Sequence, residues 1–200
     1  GMGALGGSLS LQAQRIQIGG AGTSTADNLI LQPGFFNEGG FASFNLTGIH
    51  SLSIAPGTVI EPVVKSTVAV LYGDNRDTAV MREVLMPEGM RSPVSLTFGA
   101  LGVVDDFSRE IKSVGAVSMG EGSLIKAGPF GSVNFKGDTV SILGDVFAPG
   151  GLLSITGAKS YPTNNPNPPN ALSTVYVGPN STLSTAGTVI ITPDAFGRRT

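Results

Sequence analysis

The chain has 200 residues, 40% of them apolar, and a formal charge of −2 from 12 Lys and Arg against 14 Asp and Glu. That length suits one domain, residues 1–200, with enough apolar side chains for a real core. Charged residues are only 13%, about half the usual ~25%, which excludes a disordered chain, an electrostatic nucleic-acid binder and a coiled coil.

In chain order, the first elements are short alternations of apolar and polar residues. Leu9-Ser10-Leu11 and Ile16-Gln17-Ile18 have the period of two that marks a strand buried on one face. Residues 24–40 hold Leu29-Ile30-Leu31 and then Pro33-Gly34-Phe35-Phe36-Asn37-Glu38-Gly39-Gly40, which reads as a strand and a structured turn. Phe35, Phe36, Phe41 and Phe44 gather around that turn; a core plug or end cap is expected, with a sugar-stacking platform as the lesser alternative. Leu52-Ser53-Ile54 is the next strand, followed by the corner Ala55-Pro56-Gly57. Pro presets φ and Gly supplies positive φ for such a turn. Residues 65–91 break the pattern. Within them Val80, Val84 and Leu85 fit one helical face that Pro87 would end, so a short helix or an excursion is expected there.

Strands then resume at Val94-Ser95-Leu96-Thr97-Phe98, Val117-Ser118-Met119, Val133-Asn134-Phe135, Val140-Ser141-Ile142 and Leu153-Ser154-Ile155. Two more are expected at Val175-Tyr176-Val177 and Val189-Ile190-Ile191. The corner Ala148-Pro149-Gly150-Gly151-Leu152-Leu153 repeats the shape of residues 55–60, and Gly178-Pro179-Asn180-Ser181-Thr182-Leu183 is similar. Residues 161–170, YPTNNPNPPN, read as an exposed loop, because proline removes ladder donors and restricts its predecessor. From Leu96 the matching pairs recur after 21, 16, 20, 22 and 14 residues. A degenerate period near twenty implies stacked repeats. The fold expected is all-β, a parallel β-helix of nine or ten rungs and about 45 Å long at ~4.8 Å per rung. An antiparallel β-sandwich is the alternative, since short alternating strands suit both.

Cysteine is absent, which excludes disulfides, thiolate metal sites and cysteine nucleophiles and mildly favours export. No apolar run reaches the ~18 residues of a membrane helix, so no membrane insertion of this chain is expected. The opening Gly1-Met2-Gly3-Ala4-Leu5 has neither the basic nor the apolar region of a signal peptide. Because Gly1 is no initiator, the chain is expected to be cut from a longer gene or to be a mature form.

His50 is the only histidine. It argues against a hydrolase triad or a His-rich metal site and reads as structural. Asp105-Asp106 is the only adjacent acidic pair, and Arg109 and Lys112 follow it. Clustered aspartates can act as acid and base on a polysaccharide, with the cations holding an anionic sugar. The Asn-Thr-Asp and Gly-His-Gly motifs of pectin-degrading enzymes are missing, so a charged turn is the favoured reading. Asp74-Asn75-Arg76-Asp77 lacks the Gly and closing Glu of a calcium loop and, with Arg82, reads as a polar turn. Gly19-Gly20-Ala21-Gly22-Thr23-Ser24 has no Lys for a phosphate loop. Asn45-Leu46-Thr47 and Asn180-Ser181-Thr182 are N-glycosylation sequons. No catalytic, cofactor-binding or metal-ligating residue outranks its structural role, and no cofactor is expected.

The blocks LGGSLSLQAQRIQIGG, GGFASFNLTGIHSLSIAPGTVIEP, SPVSLTFGA, GDTVSILGDVFAPGGLLSITG and VYVGPNSTLSTAGTVIIT resemble the filamentous-haemagglutinin family of large bacterial exoproteins. The resemblance is densest over 40–64 and 92–192 and thinnest over 65–91, and it matches a C-terminal portion rather than the secretion domain. It implies a right-handed parallel β-helix shaft, a secreted or cell-surface location, export of the parent by an outer-membrane transporter, and adhesion to a glycan or cell-surface receptor. It carries over no catalytic residue. The expected function is therefore a structural and adhesion module. The alternative is a carbohydrate-active β-helix enzyme using Asp105, Asp106, Arg109 and Lys112.

Overall fold

The structure is a computed structural model that describes residues 6–71, 79–104, 111–157 and 174–190. Almost every described element is a strand, and the exceptions are single 3₁₀ turns at Pro33–Asn37 and Glu88–Met90. The alternations foreseen from the sequence form parallel ladders in a curled, nearly closed sheet.

The chain builds this arrangement layer by layer. Strand β1 (Gly7–Ile18) has two arms separated by a shift near Ala13. Strand β2 (Asn28–Leu31) lies along the second arm only. Strand β3 (Phe41–Ile54) covers both arms, and β4 (Val59–Ile60) turns onto a third side. A hairpin of β5 (Ser66–Leu71) and β6 (Ala79–Val84) then leaves the stack. The next layer holds β7 (Ser95–Ala100), a second hairpin of β8 (Val103–Val104) and β9 (Ile111–Ser113), then β10 (Ala116–Met119) and β11 (Leu124–Lys126). Above it run β12 (Ser132–Gly137), β13 (Thr139–Ile142) and β14 (Asp145–Phe147). The last described layer is β15 (Leu152–Gly157), β16 (Thr174–Val177) and β17 (Leu183–Ser184).

Parallel register sorts every side chain by parity. On the first arm Phe44, Leu96, Val133 and Leu153 stack in one inward column, and Leu46, Phe98, Phe135 and Ile155 in the next. On the second arm the columns are Ile16, Leu52, Val117, Val140, Val175 and Ile18, Ile54, Met119, Ile142, Val177. Ile60, Ile125, Val146 and Leu183 close the third side. Residues of the middle layers such as Leu52, Leu96, Ile125 and Ile142 are wholly buried. Removing this apolar surface from water, at about 25 cal/mol per Å², is what holds the layers together.

Four expectations need correction. The antiparallel sandwich does not form, because both larger sheets are parallel throughout their described pairings. The expected helix over Val80, Val84 and Leu85 is instead strand β6, antiparallel to β5 with Val70 opposite Val80 and Ser66 opposite Val84. A partner strand and β-branched valines outweigh the helical spacing. Strands β5 and β6 pair only with each other. The apolar pairs fall two to a layer, one on each arm, so the longest ladder is six strands rather than nine or ten. Val189-Ile190 is not a strand, and Val189 is 88% exposed. Residues 161–170 lie outside the described part.

The two ends differ. At the β2 end, Phe36 from the 3₁₀ turn is 1% exposed and meets Phe44 and Phe98 with ring centroids 5.1 and 6.3 Å away. Phe35 and Phe41 pack around Phe44, so the aromatic cluster sits where a plug was expected. At the other end Val175 and Val177 are 45% and 38% exposed, because no described strand lies above them.

Candidate functional site

Three surfaces concentrate polar chemistry. The first is the corner between the two arms. There His50 leaves β3 between the arms, and its Nδ1 is 2.8 Å from Ser113 Oγ at the base of the β8–β9 hairpin. Asp138, on the corner one layer up, accepts a 2.8 Å hydrogen bond from the Gly115 amide. These two bonds tie the hairpin's return strand to the stack. His50 also faces a hollow of about 200 Å³ shared with Gln14, Arg15 and Asp27. Asp105, Asp106 and Arg109 lie outside the described residues. Lys112 lies on β9 and is exposed. Asp74, Arg76 and Asp77 also fall outside the described part, and Arg82 is on β6.

The second surface is a cleft of about 330 Å³ where the first excursion rejoins the stack. It mixes Glu61, Glu88, Arg91 and Lys126 with Pro93 and Pro129. The nearest ion pair, Lys126 to Glu61, spans 4.0 Å with both side chains more than half exposed. Such a pair contributes little in water. Among the described residues no group of three or more His, Cys, Asp or Glu is placed to hold a metal ion.

The third surface is the outer face of the arms, and parity writes it directly. Wherever the inward columns are apolar, the alternate positions form outward rows. On the first arm one row is Ser8, Ser43, Ser95 and Ser132, ending at the exposed Leu152, and another is Ser10, Asn45, Thr97, Asn134 and Ser154. A third runs Gln12, Thr47, Gly99, Lys136 and Thr156, with the only charge of the three rows. On the second arm one row is Ile30, Gln17, Ser53, Ser118, Ser141 and Tyr176, and the other is Asn28, Arg15, Ser51, Ala116, Thr139 and Thr174. Gln17, Ser53, Ser118 and Ser141 also line a shallow groove of about 340 Å³, walled by Pro56 and Leu143 at the following turn. Asn45, one sequon residue, is exposed within its row, and Asn180 is exposed on the turn before β17.

Sequence reading foresaw outward Ser, Thr and Asn but not which residues share a row. That depends on register across layers, which no local pattern encodes. It also missed the His50–Ser113 contact, made between residues 63 positions apart. Comparison with protein-family models, curated proteins and solved structures finds no match. The resemblance to the filamentous-haemagglutinin family therefore rests on the sequence blocks alone.

Proposed function

We propose that this chain is a right-handed parallel β-helix segment of a filamentous-haemagglutinin-like exoprotein, serving as a structural and adhesion module. The parent is secreted or held at the bacterial surface after passage through an outer-membrane transporter. The segment's job is extension and presentation: in-register columns make a stiff shaft, and the β5–β6 and β8–β9 strand pairs stand apart from its ladders. The observation that carries this reading is the outward array of Ser, Thr, Asn and Gln, repeated layer upon layer with almost no charge. Neutral donors and acceptors at a fixed spacing suit contact with a hydroxyl-rich cell surface and give no strong field that would attract nucleic acid. The partner class is a glycan or a cell-surface receptor.

The test is retention of chain-coated beads on cells, run beside a reducing-end assay on neutral and anionic polysaccharides. The module reading predicts saturable retention and no sugar release. Release that disappears in Asp105→Asn or Asp106→Asn would replace it with the carbohydrate-active enzyme. Absence of retention would overturn it as well.

A further inference from the structure

We propose that the groove along Gln17, Ser53, Ser118 and Ser141 binds a linear, uncharged glycan lying across the layers, with the Tyr176 ring as a stacking platform at one end. This rests on the adhesion reading and assigns it a site and a ligand class.

Four observations converge on this groove. Its lining carries no charged side chain, whereas two other hollows among the described residues hold Arg15, Asp27 and His50 or Glu61, Glu88, Arg91 and Lys126. An anionic or cationic ligand would find no counter-charge in it, so desolvating one there would go unrepaid. The polar groups recur one per layer in strict register, from Gln17 through Ser53 and Ser118 to Ser141. At the usual strand spacing of ~4.8 Å they present a straight line of donors and acceptors, which suits a polymer whose hydroxyls also repeat. The Gln17 amide is held in place, since its Nε2 donates to the Gly19 carbonyl at 3.0 Å and leaves Oε1 to accept. Finally, Tyr176 stands opposite Ser141 in the next layer and is 52% exposed. An exposed aromatic ring with a phenol tip offers an apolar face to a sugar ring and a hydroxyl to its edge. The row from Gln17 to Tyr176 crosses four layer spacings, about 19 Å, enough for several sugar units and too long for a monosaccharide to fill.

The experiment titrates the full chain with neutral gluco- and galacto-oligosaccharides of increasing length, and with sulfated and uronic-acid oligosaccharides of the same lengths. Calorimetry and tyrosine emission read the binding; the chain has three Tyr and no Trp, so emission reports the tyrosines. Affinity for neutral chains should rise with length and then level off. Tyr176→Ala should weaken it roughly tenfold, the loss of one stacking contact of about 1.4 kcal/mol. Ser118→Leu, at an exposed position, should fill the groove and abolish binding while circular dichroism and melting stay unchanged. Ser118→Ala should weaken binding less and guards against misfolding of the leucine variant. Preference for the anionic arm would overturn the proposal, as would neutral binding that ignores both Tyr176→Ala and Ser118→Leu. No binding in either arm, with retention on cells intact, would remove the groove and leave the adhesion reading standing. Loss of both would remove the two together.

Discussion

Gly151 has no room for a side chain: a Cβ there would stand 1.8 Å from the Gly131 carbonyl oxygen on the layer below. Gly57 is the opposite case, with φ at +69° and nothing within 4 Å of an added Cβ. The pair separates space from backbone conformation. Gly57→Ala should cost about 1 kcal/mol from the left-handed φ alone. Gly151→Ala must move backbone and should cost roughly 2–3 kcal/mol, read as a larger drop in the urea midpoint. Equal losses would contradict the close stacking of the Gly131 and Gly151 corners. Phe36 sets the other residue-scale expectation: Phe36→Ala empties the plug between Phe44 and Phe98 and should cost about 3–5 kcal/mol. A loss below 1 kcal/mol would show that the plug contributes little. The Pro-Gly corners were legible because Pro and Gly each impose a backbone angle. Phe130, which holds φ at +61° in a similar corner, was not, because nothing about phenylalanine announces that angle. Likewise the sequence grouped the four early phenylalanines but not Phe98, whose contact with Phe36 joins different layers.

At the scale of elements, the hairpins show where local pattern gives way to pairing. The i, i+4 spacing of Val80 and Val84 is genuine, yet the ladder with Ser66–Leu71 decides the outcome. Val68 opposite Arg82 and Val70 opposite Val80 are pairs that only the partner strand supplies. The shorter β8–β9 hairpin pairs only with itself and depends on its base. His50→Ala should remove the Ser113 tether, about 1 kcal/mol for one partly buried hydrogen bond. The visible effect should be local opening, so limited proteolysis within 101–115 should quicken while the global melt shifts little. Ser113→Ala should act in the same way, and the double variant should add little to either. Unchanged proteolysis in both single variants would show that the contact does not hold the hairpin. The strands themselves were the most legible feature. Leu52-Ser53-Ile54 and Val140-Ser141-Ile142 are buried, polar, buried in the structure as in the pattern.

For the whole molecule, the spacing near twenty residues was right in size and wrong in assignment. Val133 to its partner Leu153 is one such circuit. Leu96 to Val117 is not: those residues lie on different arms of one layer, with the β8–β9 hairpin between them. The similar corners at 55–57 and 148–150 also occupy different places, the first leading to β4 on the third side and the second returning to β15. One turn chemistry serves several corners, so motif matching finds corners without telling them apart. The groove was legible residue by residue, as polar positions between apolar ones. It was not legible as a site, because Ser53, Ser118 and Ser141 come together only through the register of three layers.

That register is the claim on which the columns, the polar rows and the groove all depend, and a chain without cysteine allows it to be measured cleanly. Cysteines introduced as Ser53→Cys with Ser118→Cys, and as Ser118→Cys with Ser141→Cys, should form disulfides on mild oxidation, because facing residues of neighbouring layers lie within bridging distance. Ser118→Cys with Val140→Cys should not, since Val140 is the inward neighbour of Ser141. Rapid closure of the first two pairs and none of the third is the predicted result. Failure of both facing pairs, or closure of the third as readily, would contradict the parallel, in-register stacking.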